Sequence, residues 1–106
     1  MNLHDGQVFK ATLITRGRRT SKPHAVELRA VYYDKTIFFS RRNSNSDWLK
    51  NAVATKDVTV EFVNESHAGE ASLVVDRDLV RKISHLKYSD RRSEESRVVI
   101  QVKLCE

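Results

Sequence analysis

The sequence predicts a mainly β fold, an antiparallel barrel of six strands with two small helices in the order β-β-β-α-β-β-α-β. Several segments alternate apolar and polar side chains with a period of two, which is the pattern of a half-buried strand. Most links between these segments are too short for the crossovers that parallel strands need. The chain has 106 residues, the size of one ordinary domain, so we expect a single domain over residues 1–106.

The first three strands are predicted to form a meander. Residues 7–15 are rich in β-branched and aromatic side chains, which favours a strand. Residues 25–33 alternate cleanly, and one face carries Val26, Leu28, Ala30 and Tyr32. A two-residue turn at residues 34–35 leads into a third strand at residues 36–40.

The middle of the chain predicts a short helix followed by two strands. Residues 47–55 place Trp48, Leu49, Ala52 and Val53 at helical spacing. Residues 58–63 alternate and predict the fourth strand. A turn is expected at residues 65–69, followed by the fifth strand at residues 71–75.

The last two elements are an amphipathic helix and a closing strand. Residues 78–88 place their apolar side chains on one helical face, with Asp76 or Asp78 as the N-cap. Residues 97–104 alternate again, and one face carries Val98, Ile100, Val102 and Leu104.

Positive charge is concentrated in one part of the chain. Residues 16–42 hold eight Lys and Arg against two acids, a balance of +6, whereas the whole chain carries +5. At the start of this stretch, the apolar segment of residues 13–15 runs into Arg16, Gly17 and further cations before Pro23. Charge this local indicates a binding site for an anion at the end of a sheet.

Other classes of protein are disfavoured by composition. No apolar run approaches the roughly 20 residues of a membrane-spanning helix, and the N-terminus lacks the apolar core of a signal peptide, so a cytoplasmic location is expected. Four scattered histidines and the single Cys105 show no metal-ligand spacing, and no metal site is expected. Because no catalytic triad or carboxylate pair is recognisable, the catalytic residues are unknown.

Three segments in order resemble a known group of proteins. The segments LITRGRRTSKP, FFSRR and DWLKNAVATKDVTVEF resemble the flavin-binding split-barrel superfamily, which includes proteins similar to pyridoxamine 5'-phosphate oxidase. The nearest likeness is to its deazaflavin-dependent nitroreductase branch, and it covers about residues 10–63. The matching residues are Thr15, Gly17, Arg18, Arg19, Thr20, Pro23, Ser40, Arg41, Trp48, Asn51, Val58 and Val60. The chain departs from the branch at three places. Ser21 stands where the branch prefers Gly, His24 where it prefers Arg, and Arg42–Asn43 where it prefers a pair of glycines.

The resemblance implies a six-stranded antiparallel split β-barrel that forms a homodimer and binds FMN or, alternatively, a deazaflavin coenzyme. It implies an oxidoreductase in which the cofactor exchanges a hydride with an unknown small substrate. The residues expected to contact the cofactor are Arg18, Arg19, Thr20, Lys22, His24, Ser40, Arg41, Arg42, Trp48 and Asn51. For Trp48 a place in the core is the favoured interpretation, and for Asn51 a hydrogen bond between helix and loop.

Two other functions stay open. With a pI of about 9.6, the chain could be a small basic barrel that binds nucleic acid. Binders of single strands interleave aromatic and basic side chains, but neither Arg-rich loop contains an aromatic residue, so nucleic acid is the less favoured partner. A non-enzymatic protein that binds flavin or haem on the same fold is the other alternative.

Overall fold

Six antiparallel strands close into a barrel, and two helices pack against it, in the order that the sequence predicted. The computed structural model describes residues 3–18, 21–41, 46–88 and 97–105. Around the barrel the strands follow the order β1-β2-β3-β6-β5-β4. The elements are β1 (Gln7–Arg16), β2 (Pro23–Tyr33), β3 (Thr36–Arg41), α1 (Asp47–Ala54), β4 (Asp57–Phe62), β5 (Glu65–Leu73), α2 (Arg77–Lys87) and β6 (Val98–Leu104).

The predicted meander is confirmed. β1 and β2 pair along their length, from Gln7 opposite Tyr32 to Arg16 opposite Pro23. The turn between β2 and β3 is formed by Asp34 and Lys35, which have φ angles of 52° and 60°. Two successive residues with positive φ are typical of the tight turns that match the twist of a hairpin.

The turn predicted at residues 65–69 is wrong, because these residues belong to β5. Residues 65–70 pair with β4, and the turn lies one step earlier, at Val63 and Asn64. The positions of β5 opposite the buried Val60 and Val58 are occupied by His67 and Gly69. Since neither is aliphatic, the alternation that marks a strand is invisible in this part of the sequence.

Gly69 allows β5 and β6 to approach closely. A Cβ atom at this position would lie 2.7 Å from Cγ1 of Val102 and 3.1 Å from the carbonyl oxygen of Lys103. Real Cβ atoms essentially never show a contact of 2.7 Å, and 3.1 Å is also unusually tight, so a larger residue would push β6 away.

Two hydrophobic clusters hold the fold together. The first fills the barrel and includes the alternating residues predicted for β2 and β6 together with the fully buried Phe39, and α1 joins it through Trp48, Leu49 and Ala52. The second lies on the outside of the barrel, where α2 covers Val31, Phe38 and Val99. The N-cap of α2 is Asp76, whose carboxylate accepts hydrogen bonds from the backbone N–H groups of Asp78 and Leu79. Of the helices in the described part of the chain, none is long and apolar enough to cross a membrane.

Replacing Val63–Asn64 with Asn–Gly is expected to stabilise the protein. Val63 is a β-branched residue with a φ of 52° and is 82% exposed, so it is strained without packing to compensate. Removing this strain should raise the free energy of unfolding by about 1–2 kcal/mol, measured by urea denaturation. Val75→Asn is the control, because Val75 is also highly exposed but has no positive φ. An equal gain in the control would show that the stabilisation comes from replacing an exposed apolar side chain with a polar one, and not from the turn.

Candidate functional site

The basic loop between β1 and β2 is closed by its own backbone. The N–H of Gly17 donates to the carbonyl oxygen of Lys22 (2.9 Å), and the N–H of Ser21 donates to that of Gly17 (3.0 Å). Lys22 and His24 are exposed beside this loop. The predicted site residues Arg19 and Thr20 lie outside the described residues.

Arg18 joins the loop to the first helix. Its Nη1 donates to Oδ1 of Asn51 (2.9 Å), and its Nη2 lies 3.8 Å from a carboxylate oxygen of Asp47. Nδ2 of the buried Asn51 donates in turn to Oγ1 of Thr15 (3.3 Å). Arg18 and Asn51 therefore fix α1 over the end of the barrel, which agrees with the predicted bond between helix and loop.

The end of β3 points its side chains to two different places. Nε of Arg41 donates to Oγ of Ser46 (3.0 Å) at the start of α1, so Arg41 lies at the same barrel end as Arg18. Ser40 instead lies on the outer face, where its Oγ accepts a hydrogen bond from Nζ of Lys87 (3.1 Å). Arg42 lies outside the described residues.

Trp48 belongs to the core. It is 7% exposed, and its ring meets that of Phe39 edge-on with 6.4 Å between centroids. The favoured interpretation of Trp48 as a packing residue therefore fits the structure.

A group of basic residues that sequence reasoning missed lies around Tyr88, and one of them, Lys87, contacts Ser40. We call Arg29, Ser40, Lys87, Tyr88 and Arg97 the Ser40 cluster. Nη2 of Arg29 lies 3.5 Å from the carbonyl oxygen of Lys87. Around the Tyr88 ring centroid lie Cζ of Arg97 at 4.2 Å, Nζ of Lys87 at 5.4 Å and Cζ of Arg29 at 5.9 Å. A cation over the face of an aromatic ring is attracted electrostatically to that ring.

The electrostatic state of Lys87 reflects this crowding. Burial lowers the pKa of Lys87 to about 8, and the positive charges of Arg29, Arg97 and Arg41 act in the same direction. Because the unfolded chain keeps the ordinary pKa of 10.5, the charged Lys87 destabilises the fold at neutral pH. This penalty disappears as the pH rises from about 8 through 10.5.

Two surface clefts lie away from the Ser40 cluster. A cleft of about 410 Å³ borders the basic loop and is lined by Arg16, Ser21 and Pro23 together with residues of β4 and β5. A cleft of about 470 Å³ lies between β1 and the β4–β5 turn and is lined by Lys10, Glu27 and Glu61, among others. In the described part of the chain, no three His, Cys, Asp or Glu side chains are placed to hold a metal ion.

Comparison with known proteins identifies the fold. No protein-family model and no curated protein matches the chain. Among solved structures, a candidate pyridoxamine 5'-phosphate oxidase from Listeria innocua is 17% identical with a TM-score of 0.70, covering 92% of this chain and 84% of its own. An F420-H2-dependent reductase is 15% identical with a TM-score of 0.68, covering 88% and 92%. An FAD-binding protein from Mesorhizobium loti is 13% identical with a TM-score of 0.67, covering 92% and 79%. At identities of 13–17% these likenesses show the fold, and it is the six-stranded antiparallel barrel that the resemblance implied.

Proposed function

We propose that the protein binds a flavin-type cofactor, FMN or alternatively a deazaflavin coenzyme, and acts as an oxidoreductase. The observation that carries the proposal is the split-barrel fold, which the chain shares with proteins named as F420-H2-dependent and FAD-binding. The local excess of positive charge in residues 16–42 supports it, because each of these cofactors carries an anionic part. Once bound, the cofactor supplies hydride chemistry at its ring system.

The side chains at the barrel end fit the anionic part of such a cofactor. Guanidinium groups bind phosphate oxygens in pairs, and these charge-assisted hydrogen bonds are about twice as strong as neutral ones. Arg18 is held by a side-chain hydrogen bond to Asn51 of α1, and Arg41 by one to Ser46, the N-cap of α1, so little freedom would be lost on binding. We propose that Lys22 and His24 contribute from the loop side, and that Arg19, Thr20 and Arg42 contribute on the strength of the motif.

We also propose that the protein forms a homodimer. A barrel of this size buries only about two thirds of its unfolded surface, and the clefts on it are open to solvent. A second copy would supply further walls to a cofactor cleft. Light scattering coupled to size-exclusion chromatography is expected to give twice the mass of the 12.2 kDa chain.

The test is a titration of the cofactor-stripped protein with FMN and with a deazaflavin coenzyme, followed by their fluorescence. Saturable binding of one cofactor is expected, and Arg41→Gln should weaken it by about tenfold or more, since a charge-assisted bond is lost. Lys35→Gln removes the same charge at the opposite end of β3 and should change the affinity by less than about twofold. Arg18 is less suited to this test because its replacement also releases α1.

Two results would count against this function. A protein that binds neither cofactor at high concentration retains the fold without flavin chemistry. Binding of an oligonucleotide with a steep dependence on salt, combined with no cofactor binding, would instead favour the nucleic-acid alternative.

A further inference from the structure

We infer that the projecting end of β1, residues 7–11, together with the acidic cleft beside it, binds an extended basic peptide that adds to the sheet as a further strand. This place lies at the opposite end of β1 from the basic loop. Lys10 and Arg16 are six positions apart, which is about 20 Å in an extended strand. The peptide site is therefore separate from the one proposed for the cofactor, and its occupancy does not depend on a flavin.

The barrel closes between β1 and β4 over a short stretch. All ten residues of β1 pair with β2 on one side. On the other side, within the described part of the chain, residues 12–14 pair with β4 and no strand pairs with residues 7–11. The reason is that β4 ends at Phe62 and the chain then turns at residues 63–64. About half of residues 7–11 direct their backbone N–H and C=O groups to this side, where a further strand could pair with them.

The cleft of about 470 Å³ where β1 and β4 separate is acidic. Of the described residues that line it, Glu27, Glu61 and Glu65 carry carboxylates and Lys10 carries an ammonium group, three acids against one base and a balance of −2. Lys10 offsets little of this charge, because its Nζ lies 3.9 Å from Glu27 and both side chains are largely exposed. The whole chain carries +5, but at physiological ionic strength exposed charges act over about 8 Å, so a ligand in the cleft responds to these carboxylates more than to the basic loop.

The carboxylates of the cleft can accept further hydrogen bonds. Oε2 of Glu61 accepts one from Oγ of Ser66 (2.9 Å), and Oε2 of Glu65 lies 3.2 Å from Nε2 of His67. A carboxylate has two oxygens with about four acceptor positions, so each group retains positions for an ammonium or a guanidinium group. The occupant that fits therefore carries Lys or Arg side chains. A nucleic acid does not fit, because these carboxylates would repel its phosphates.

Val63 places an exposed apolar side chain at the same cleft. It is 82% exposed and has a φ of 52°, which is strained for a β-branched residue. Its neighbour in the chain, Phe62, packs on Phe9 with 5.3 Å between the ring centroids. Successive side chains of a strand point to opposite faces, so an added strand would turn one set toward Glu61 and the other set toward these apolar groups. A peptide in which basic and apolar residues alternate matches both faces.

The first experiment titrates the protein with an acetylated and amidated hexapeptide of sequence KVKTKV at low ionic strength, followed by heteronuclear NMR. Amide shifts are expected at residues 7–11 and at Val63. The peptide EVETEV reverses the charge and should bind about tenfold more weakly or worse. N-methylation of alternate residues is made in both frames. One frame blocks the hydrogen bonds to β1 and should lose about tenfold or more, whereas the other should bind nearly unchanged. Equal binding of EVETEV, or of both methylated frames and the parent, would overturn the inference.

Variants of the protein locate the contact. Glu61→Gln should weaken the binding of KVKTKV by about threefold, as expected for one exposed ion pair. Glu70→Gln is the matched control, because Glu70 is also an exposed carboxylate of the sheet but does not line the cleft, and it should change the affinity by less than about 1.5-fold. Replacing Val63–Asn64 with Asn–Gly should weaken binding although it stabilises the protein, so this loss cannot come from unfolding. Equal affinities of Glu61→Gln and Glu70→Gln would overturn the inference.

Cofactor titration and light scattering separate this site from the proposed function. If KVKTKV binds while neither FMN nor a deazaflavin does, the peptide site stands and the cofactor function fails. If a cofactor binds and KVKTKV does not, the peptide site fails and the cofactor function stands. If KVKTKV does not bind and Glu61→Gln, but not Glu70→Gln, changes the mass of the protein in solution, the projecting ends of two copies contact each other, and a basic peptide is overturned as the occupant.

Discussion

Replacing Phe39 with alanine is expected to lower the free energy of unfolding by about 3–5 kcal/mol. The side chain is fully buried inside the barrel, and its strand β3 pairs with β2 and β6 at this position. Because a closed barrel has no free edge along which strands could shift, its walls cannot collapse easily into the cavity that the substitution leaves. The ring also supports Trp48, which it meets edge-on. Urea denaturation followed by the fluorescence of this single tryptophan and by circular dichroism measures the loss.

Two further substitutions make this result specific. Phe39→Leu keeps most of the volume and should cost about 1–2 kcal/mol. Val53→Ala removes an apolar group from the exposed face of α1, where Val53 is 56% exposed, and should stay within about 0.5 kcal/mol. If Phe39→Ala cost no more than Val53→Ala, the inside of the barrel would not be the main core of the protein.

The sequence was sufficient to predict most of the fold because the barrel strands have one buried face. In β2 and β6 every second residue points into the barrel, so apolar side chains recur with a period of two and the strands are recognisable. The same pattern fails at the start of β5, where His67 and Gly69 take the inward positions. At Gly69 the reason is physical, since β6 passes too close for any Cβ atom. Where close packing requires a glycine at an inward position, the apolar alternation that identifies a strand is interrupted.

The candidate site was predictable only in part, because charged residues that are far apart in the sequence lie close together in the structure. The motif of the first loop singles out Arg18, but the partner that fixes it, Asn51, lies 33 positions further along. Lys87 and Ser40 are 47 positions apart. Lys87 and Arg97 also belong to residues 43–106, which hold ten bases and eleven acids, so the sequence shows no excess of positive charge there. The packing of α2 on the barrel brings Lys87 to the strongly basic segment, and the pairing of β6 with β3 brings Arg97 there.

The packing of α2 therefore determines both the stability of the outer face and the position of Lys87. Ile83 is completely buried in the outer hydrophobic cluster, and Lys87 follows it by one helical turn. Residues four apart lie on the same face of a helix, so the contact that anchors Ile83 also directs Lys87 toward Ser40.

Ile83→Ala is accordingly expected to affect two measurements together. It should lower the free energy of unfolding by about 2–5 kcal/mol, whereas Ile83→Val should cost about 0.5–1.5 kcal/mol. At a temperature where Ile83→Ala is still folded, the pKa of Lys87 should also rise from about 8 toward 10.5, because the end of α2 loses its anchor and Lys87 becomes less buried. An NMR titration of the lysine side chains measures this change. Leu79→Ala is the control, since Leu79 is only half-buried and lies at the other end of the helix. It should cost less stability and leave the pKa of Lys87 nearly unchanged. If Ile83→Ala lowered stability but left the pKa of Lys87 near 8 in the folded protein, Lys87 would be positioned by Tyr88 and Arg29 and not by the packing of the helix.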